Sequence, residues 1–400
     1  MRKYVVFLHR WVGLAVLAFI AIAAITGIII AFDDELDRVL NDDWYFVQPQ
    51  GQRMPMDQLV PIAQTFAEHS RVTFVRMDAD PARSYHFYLS TKPANGEVKM
   101  IRHNVFVDPY TGKLLGGREN GEFGLDKRHL IPFLVKFHYT LFLGDFGKFL
   151  MGIAALLWLL DHFGAVYLSF PNPKSWRKSF QFRWREVGHK LNFDMHRSGS
   201  MWILPVLLAL SLSSVYLNLN PQFKWVVGQF SPVTKTECAC HVDIKAGWLP
   251  QSSSWDGAIR LAQQNKPELI PSAVTFLPDT GRLIVSMRGP EDLADNGMTK
   301  VYVNATNGKL LHIHNRSQET AADTFLAWQL PLHSGRVFGM IGQIIILLSG
   351  IVITVICVTG FLIYAKKAKA RDAMTKQNAP ALDQTKRDTV VYAQTRNVKP

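Results

Sequence analysis

Four long apolar stretches divide the chain, near residues 11–32, 147–170, 199–218 and 337–364. Each approaches or exceeds the ~20 apolar residues that cross a bilayer, so the pattern predicts four transmembrane helices. The run from Trp11 to Phe32 carries no charge. It outlasts the ~7–15 residue core of a cleaved signal, which marks it as a retained anchor. The second stretch is interrupted by Asp161-His162. Between the stretches the pattern changes to short segments. Met56–His69 and Trp255–Gln264 have helical spacing. Val72–Met77, Ser84–Ser90, Val98–Val107, Ala273–Phe276, Arg282–Met287 and Thr299–Val303 alternate as strands, with Asn95-Gly96 as a hairpin turn.

These elements fall into two similar halves. His9-Arg10 opens the first apolar run and His196-Arg197 the third, at an offset of 187. His138-x5-Gly144-x2-Gly147 leads into the second and His333-x5-Gly339-x2-Gly342 into the fourth, at an offset of 195. Val105-Phe-Val-Asp-Pro-Tyr-Thr-Gly-Lys-Leu-Leu115 is echoed by Val301-Tyr-Val-Asn-Ala-Thr-Asn-Gly-Lys-Leu-Leu311, at an offset of 196. A direct duplication accounts for all three. The expected fold is an α-helical polytopic membrane protein, with four transmembrane helices in a pseudo-two-fold parallel repeat and two extracytoplasmic α+β modules. Its segments are 1–32 (N-terminus and first span), 33–140 (first module), 141–170 (second span) and 171–195 (basic loop). They continue as 196–218 (third span), 219–333 (second module), 334–364 (fourth span) and 365–400 (an aperiodic, disordered tail).

Charge sets the orientation. Lys174, Arg177, Lys178, Arg183, Arg185 and Lys190 crowd the loop between spans two and three, and Lys366, Lys367, Lys369 and Arg371 follow the fourth. By the positive-inside rule both flanks face the cytoplasm, as do both termini. The net charge of +12 is then a topology signal and calls for no nucleic-acid partner. Of three cysteines, Cys357 lies inside the fourth span and reads as a small apolar residue. Cys238-Ala-Cys240-His241 is one residue short of the C-x-x-C-H motif of covalent haem attachment. A disulfide or a metal contact there stays open.

The symmetry would place His9 opposite His196 at the inner face and His138 opposite His333 at the outer face. Four histidines in two such pairs suit one or two haem b groups. Iron held by two imidazoles has no open position, so it transfers electrons and does not activate oxygen. Gly13 and Gly199 lie one turn beyond His9 and His196 and would leave room for a macrocycle. Arg10, Arg197 and Arg336 stand where haem propionates would emerge. A plainer reading accompanies each. Interfacial histidines are tolerated amphipathic residues, the arginines snorkel, and membrane glycines pack helices. His162 lies 24 residues after His138, about 36 Å along a helix, and competes for the inner site. Asp161 beside it reads as an intramembrane acid that orients a histidine or carries a proton. His312-x-His314 reads as two side chains on one strand face. His69, His86, His103, His129, His189 and His241 follow no pattern of this kind.

Leu8-His-Arg-Trp-Val-Gly-Leu14, Phe137-His-Tyr-Thr-Leu-Phe-Leu-Gly144, Asp194-Met-His-Arg-Ser-Gly199 and Leu332-His-Ser-Gly335 resemble the PepSY-associated transmembrane helix family. The two Gly-Lys-Leu-Leu strand ends resemble PepSY modules, and the likeness covers about residues 1–365. It implies an iron-regulated inner-membrane protein similar to haem-containing ferric-siderophore reductases, with His9, His138, His196 and His333 as ligands. A quinol or cytoplasmic donor would supply electrons to a ferric siderophore or other chelate at the periplasmic face. Two other classes stay open: a siderophore permease or receptor component, and a non-catalytic regulator whose modules bind a peptidase or peptide.

Overall fold

In the computed structural model, which describes residues 1–91, 101–234, 254–290, 292 and 297–395, the elements follow the two-half pattern. The first half runs α1 (Arg2–Ile30), α2 (Asp33–Leu40), α3 (Asp42–Tyr45), α4 (Met56–Gln64), β1 (Ser70–Arg76), β2 (Tyr85–Thr91), β3 (Ile101–Val107), β4 (Leu114–Glu119), α5 (Leu130–Thr140) and α6 (Gly144–Ser169). The second runs α7 (His189–Trp202), α8 (Leu204–Asn218), α9 (Asn220–Val227), α10 (Trp255–Asn265), β5 (Ile270–Leu277), β6 (Arg282–Arg288), β7 (Thr299–Asn304), β8 (Leu310–His314), α11 (Ala321–Ala327), α12 (Gln329–Ser334) and α13 (Gly339–Thr395). Asn95-Gly96, Cys238, Cys240 and His241 lie outside the described residues.

Two compact units emerge, one of residues 1–25, 154–208 and 348–400, the other of residues 26–153 and 209–347. The second unit contains the sheet. The two expected modules share a single antiparallel sheet of order β4-β3-β2-β1-β5-β6-β7-β8. β1 and β5 would each be an edge strand with unpaired backbone groups if the modules stood apart. Instead they pair around Val75–Val274. One face of this sheet buries Val72, Val75, Phe87, Leu89, Val105 and Val107 with their counterparts Val274, Phe276, Leu283, Val285, Val301 and Val303, under α4 and α10. The echoed segments are the β3–β4 and β7–β8 hairpins. In each turn an Asp108 or Asn304 side chain accepts a backbone N–H two residues on, at 2.8 Å in both.

The helices α4 and α10 cap one another. Pro55 precedes α4 and offers no side-chain acceptor. Asp256 supplies it, accepting from the Met56 and Asp57 N–H groups at 3.0 and 2.9 Å. Asp57 returns the contact, accepting from the Trp255 N–H at 2.6 Å and from the Ser254 hydroxyl. Ser254 also caps α10 from within, accepting from the Gly257 N–H. Each carboxylate thus satisfies helix N-terminal donors left without intrahelical partners.

Among the described residues three helices are long and apolar enough to cross a membrane: Arg2–Ile30, Gly144–Ser169 and Arg336–Met374. The expected third span is two helices, α7 and α8, bent by 73°. Pro205 explains the break, because it has no N–H and its ring excludes the carbonyl four residues earlier. The tail also differs from expectation. α13 continues to Thr395 where an aperiodic segment was expected. The Ala-Lys-Lys-Ala-Lys-Ala-Arg run after Tyr364 consists of strong helix formers, and charge alone does not stop a helix.

His86, which follows no sequence pattern, is stacked between Tyr88 and Phe106, with ring centres 4.4 and 4.2 Å away. Burial, with Arg118 and Arg76 nearby, holds its imidazole well below the ordinary range. The folded chain therefore keeps it neutral, whereas the unfolded chain takes up a proton below about pH 6.5. Its stabilising contribution is complete above that pH and is lost progressively as pH falls toward the folded value.

Two outcomes are expected from thermal unfolding of the purified protein. Asp256→Ala should cost about 1 kcal/mol, and Asp57→Ala less, since Ser254 still caps α10; equal costs or the reverse order would contradict the reciprocal caps. His86→Phe, which keeps the stack, should reduce the drop in melting temperature between about pH 8 and pH 5. An unchanged drop would show that His86 does not contribute to it.

Candidate functional site: two facing histidine pairs

In the first unit His9 on α1 faces His196 on α7, with ring centres 6.1 Å apart. In the second unit His138 on α5 faces His333 on α12, with ring centres 6.2 Å apart. A metal ion bound at about 2 Å by a nitrogen of each imidazole would separate the ring centres by about 6.2 Å. Both pairs therefore have a spacing that two imidazoles holding one metal ion between them would show.

The Nδ1 atom of every ring is engaged. His9 Nδ1 contacts both oxygens of Asp161 on α6, at 2.8 and 3.0 Å. His196 Nδ1 lies 3.0 Å from the main-chain carbonyl of Ile356 on α13. Carboxylate and carbonyl oxygens only accept, so both Nδ1 atoms carry a proton and donate it. His333 Nδ1 lies 2.9 Å from the Ser213 hydroxyl, which donates its own hydrogen to the Ala209 carbonyl at 2.6 Å. That hydroxyl can only accept from His333. His138 Nδ1 lies 2.8 Å from the Thr26 hydroxyl. Where Nδ1 is the protonated nitrogen, as in His9 and His196, coordination falls to Nε2, and the partner on Nδ1 fixes tautomer and ring orientation.

Glycines fit the rings to their helices. A Cβ on Gly360 of α13 would come within 3.0 Å of His196 Cε1, and one on Gly27 within 3.5 Å of His138 Cε1. Gly13 and Gly199 border open space: a Cβ on Gly13 would meet nothing within 4 Å, and one on Gly199 only Val352, at 4.0 Å. The glycines of the His-x5-Gly-x2-Gly spacing serve the turn that follows each histidine helix. Gly144 and Gly339 take positive φ, at 60° and 57°. A Cβ on Gly147 would overlap the Thr140 carbonyl, and one on Gly342 the Gly335 carbonyl.

The remaining sequence candidates divide. His162 is buried and turned onto its own helix, with Nδ1 2.5 Å from the Trp158 carbonyl and its ring against Trp158. It does not join the His9–His196 pair. Arg10 lies over Phe7 and Trp11, and its buried Nε has no hydrogen-bond partner. Arg197 donates to the Lys178 carbonyl and lies 3.5 Å from Asp194, and its buried Nε is likewise unpartnered. Arg336 instead pairs with Asp33 at 2.6 Å and Asp34 at 3.2 Å, so its charge is already balanced within its own unit. His314 is buried and His312 exposed on β8. Among the described residues no group of three or more His, Cys, Asp or Glu gathers as a metal site.

Thr26, Ser213, Gly27, Gly360 and the Ile356 carbonyl escaped the sequence reading. One signal was present for two of them: Thr26 and Ser213 each stand 17 residues after a His-Arg pair, at His9 and His196. The donor set suits a planar metal macrocycle better than a bare ion. Each pair supplies two imidazoles, no third His, Cys, Asp or Glu gathers with them among the described residues, and Gly13 and Gly199, one turn beyond His9 and His196, carry no side chain. A family model described as a PepSY-associated TM region matches residues 6–367. No curated protein sequence matches the chain.

Proposed function

Because the chain belongs to the PepSY-associated TM family, we propose that it is a haem-dependent electron-transfer protein of the bacterial inner membrane that reduces a ferric chelate. One haem b is held by His9 and His196 and a second by His138 and His333. The observation that carries this reading is the pairing itself: two facing imidazoles about 6 Å apart, twice over, each with Nδ1 engaged. Haem in such a site supplies a one-electron couple with no position open to oxygen.

The residues of the chain do the rest. Asp161, the Ile356 carbonyl, Thr26 and Ser213 hold the ligating rings in one tautomer, which keeps Nε2 available through both oxidation states. Arg10 and Arg197, with buried unpartnered Nε atoms, suit the propionates of the first haem. By the positive-inside rule the basic segment 171–195 and the C-terminal flank face the cytoplasm, and the sheet faces the periplasm. A quinol gives up two electrons and two protons, so each quinol reduces two ferric chelates to the ferrous state. Hard oxygen donors hold Fe(II) far less tightly than Fe(III), so reduction releases the metal for uptake.

A second reading has one observation in its favour. The 73° break between α7 and α8 resembles the interrupted helices that line transporter binding sites, which suits a siderophore permease or receptor component.

Absorption spectroscopy of the purified protein separates the two. Two low-spin haems per chain should appear in the dithionite-reduced spectrum. His138→Ala and His333→Ala should each remove the same haem, while His9→Ala and His196→Ala remove the other. A colourless protein that still binds a ferric siderophore would replace this reading with the permease. Loss of different haems within one pair would break the assignment of ligands.

A further inference from the structure

We infer that Asp161 gives the haem held by His9 and His196 a lower reduction potential than the one held by His138 and His333. This deepens the haem reading above and rests on it. The two sites are built on one repeated frame, yet the hydrogen-bond partners of their histidines differ in kind. Asp161 meets His9 with both carboxylate oxygens, at 2.8 and 3.0 Å, and its side chain is only 13% exposed. The other site has neutral hydroxyls at the equivalent task, Thr26 on His138 and Ser213 on His333.

A carboxylate draws the Nδ1 proton more strongly than a hydroxyl does. That raises the electron density which Nε2 offers to iron and favours the ferric state. The negative charge acts in the same direction through a low-dielectric surrounding, where a nearby charge counts for more than in water. Two arginines follow the ligands of this site and oppose the effect. Arg197 lies 3.5 Å from Asp194, whose nearer partner is Arg183 at 2.6 Å, and Arg10 is turned over the Phe7 and Trp11 rings. Asp161 is the charged group in hydrogen-bond contact with a ligand ring there.

The repeat shows that the acid is an addition to the frame. Thr26 and Ser213 correspond at the offset of 187 that relates His9 to His196. At the offset of 195 that relates His138 to His333, Asp161 corresponds to Ile356. Ile356 serves His196 through its backbone and brings no charge. One carboxylate has therefore entered a scaffold that otherwise satisfies its histidines with neutral partners.

Optically monitored redox titration of the full chain tests this. His333→Ala should leave the His9/His196 haem alone in the protein, and His196→Ala the other. The midpoint in the first variant should lie below that in the second. Asp161→Asn in the His333→Ala protein should lose about tenfold in preference for the ferric state, a rise of about 59 mV for a one-electron couple. Asp161→Glu should restore part of the shift, and in the His196→Ala protein Asp161→Asn should change nothing. Equal or reversed midpoints, or a haem-replete Asp161→Asn protein with an unmoved midpoint, would overturn the inference and leave the haem reading standing. If Asp161→Asn sheds its haem, the order of the two parent midpoints decides. Absence of haem from every preparation would sink both readings together.

Discussion

A strand at the margin of a sheet exposes a ladder of N–H and C=O groups that must be covered or paired. In this protein β1 and β5 cover each other, and the ladder through Val75–Val274 turns two half-sheets into one. The same dependence on the other half recurs wherever the duplication is visible. Asp57 and Asp256 cap each other's helices at an offset of 199, the offset that also separates Val75 from Val274. His9 faces His196, and His138 faces His333. One half taken alone would leave an open edge, an uncapped α4 and histidines without partners. The ion pair of Arg118 with Asp37, both buried, is a contrasting case, formed entirely within the first half.

Much of this was legible because it depends on local pattern. Strand alternation found β1, β2, β5, β6 and β7 to within a few residues, and the duplicated His-Arg and His-x5-Gly-x2-Gly spacings paired the four histidines correctly in space. What stayed hidden depends on contacts between distant segments. Nothing in the alternation of β1 or β5 says which strand lies beside it, so two modules were expected where one sheet exists. Hydropathy ran evenly across residues 199–218 and concealed the bend at Pro205, since proline breaks a helix through geometry and changes hydropathy little. Arg336 sits three residues after His333, close enough in sequence to suggest the same role as Arg197 beside His196. Only the fold reveals Asp33 and Asp34 against it. The hydroxyls of Thr26 and Ser213 were within reach of sequence reasoning, because the repeat that related the histidines also relates these two.

The glycine spacing illustrates how a correct signal can carry a different meaning from the one first attached to it. Gly144, Gly147, Gly339 and Gly342 mark the duplication, yet they do not border the rings. They allow a short helix carrying the histidine to turn sharply into a membrane helix, with a backbone carbonyl packed where a side chain would otherwise stand. Rigidity at that corner bears on the site all the same. A ligand ring keeps its place only if the helix beneath it does, and the carbonyls of Thr140 and Gly335 packed against Gly147 and Gly342 join that helix closely to the next.

The pair Asp161 and Ile356 shows why a duplicated frame can be satisfied in two ways. A carbonyl inside a helix retains a second lone pair, and a neighbouring imidazole reaches it only if the residue four positions on leaves the approach clear. After Ile356 that residue is Gly360, where an added Cβ would press within 3.0 Å of His196 Cε1 and 3.2 Å of Nδ1. The repeat places Ala165 at the matching position after Asp161. Alanine there carries the Cβ that Gly360 lacks, and His9 takes its acceptor from a side chain instead. Asp161 supplies it. Glycine with a backbone acceptor in one half and alanine with a carboxylate in the other are thus the two ways in which the repeat satisfies a histidine, and only the second brings a charge.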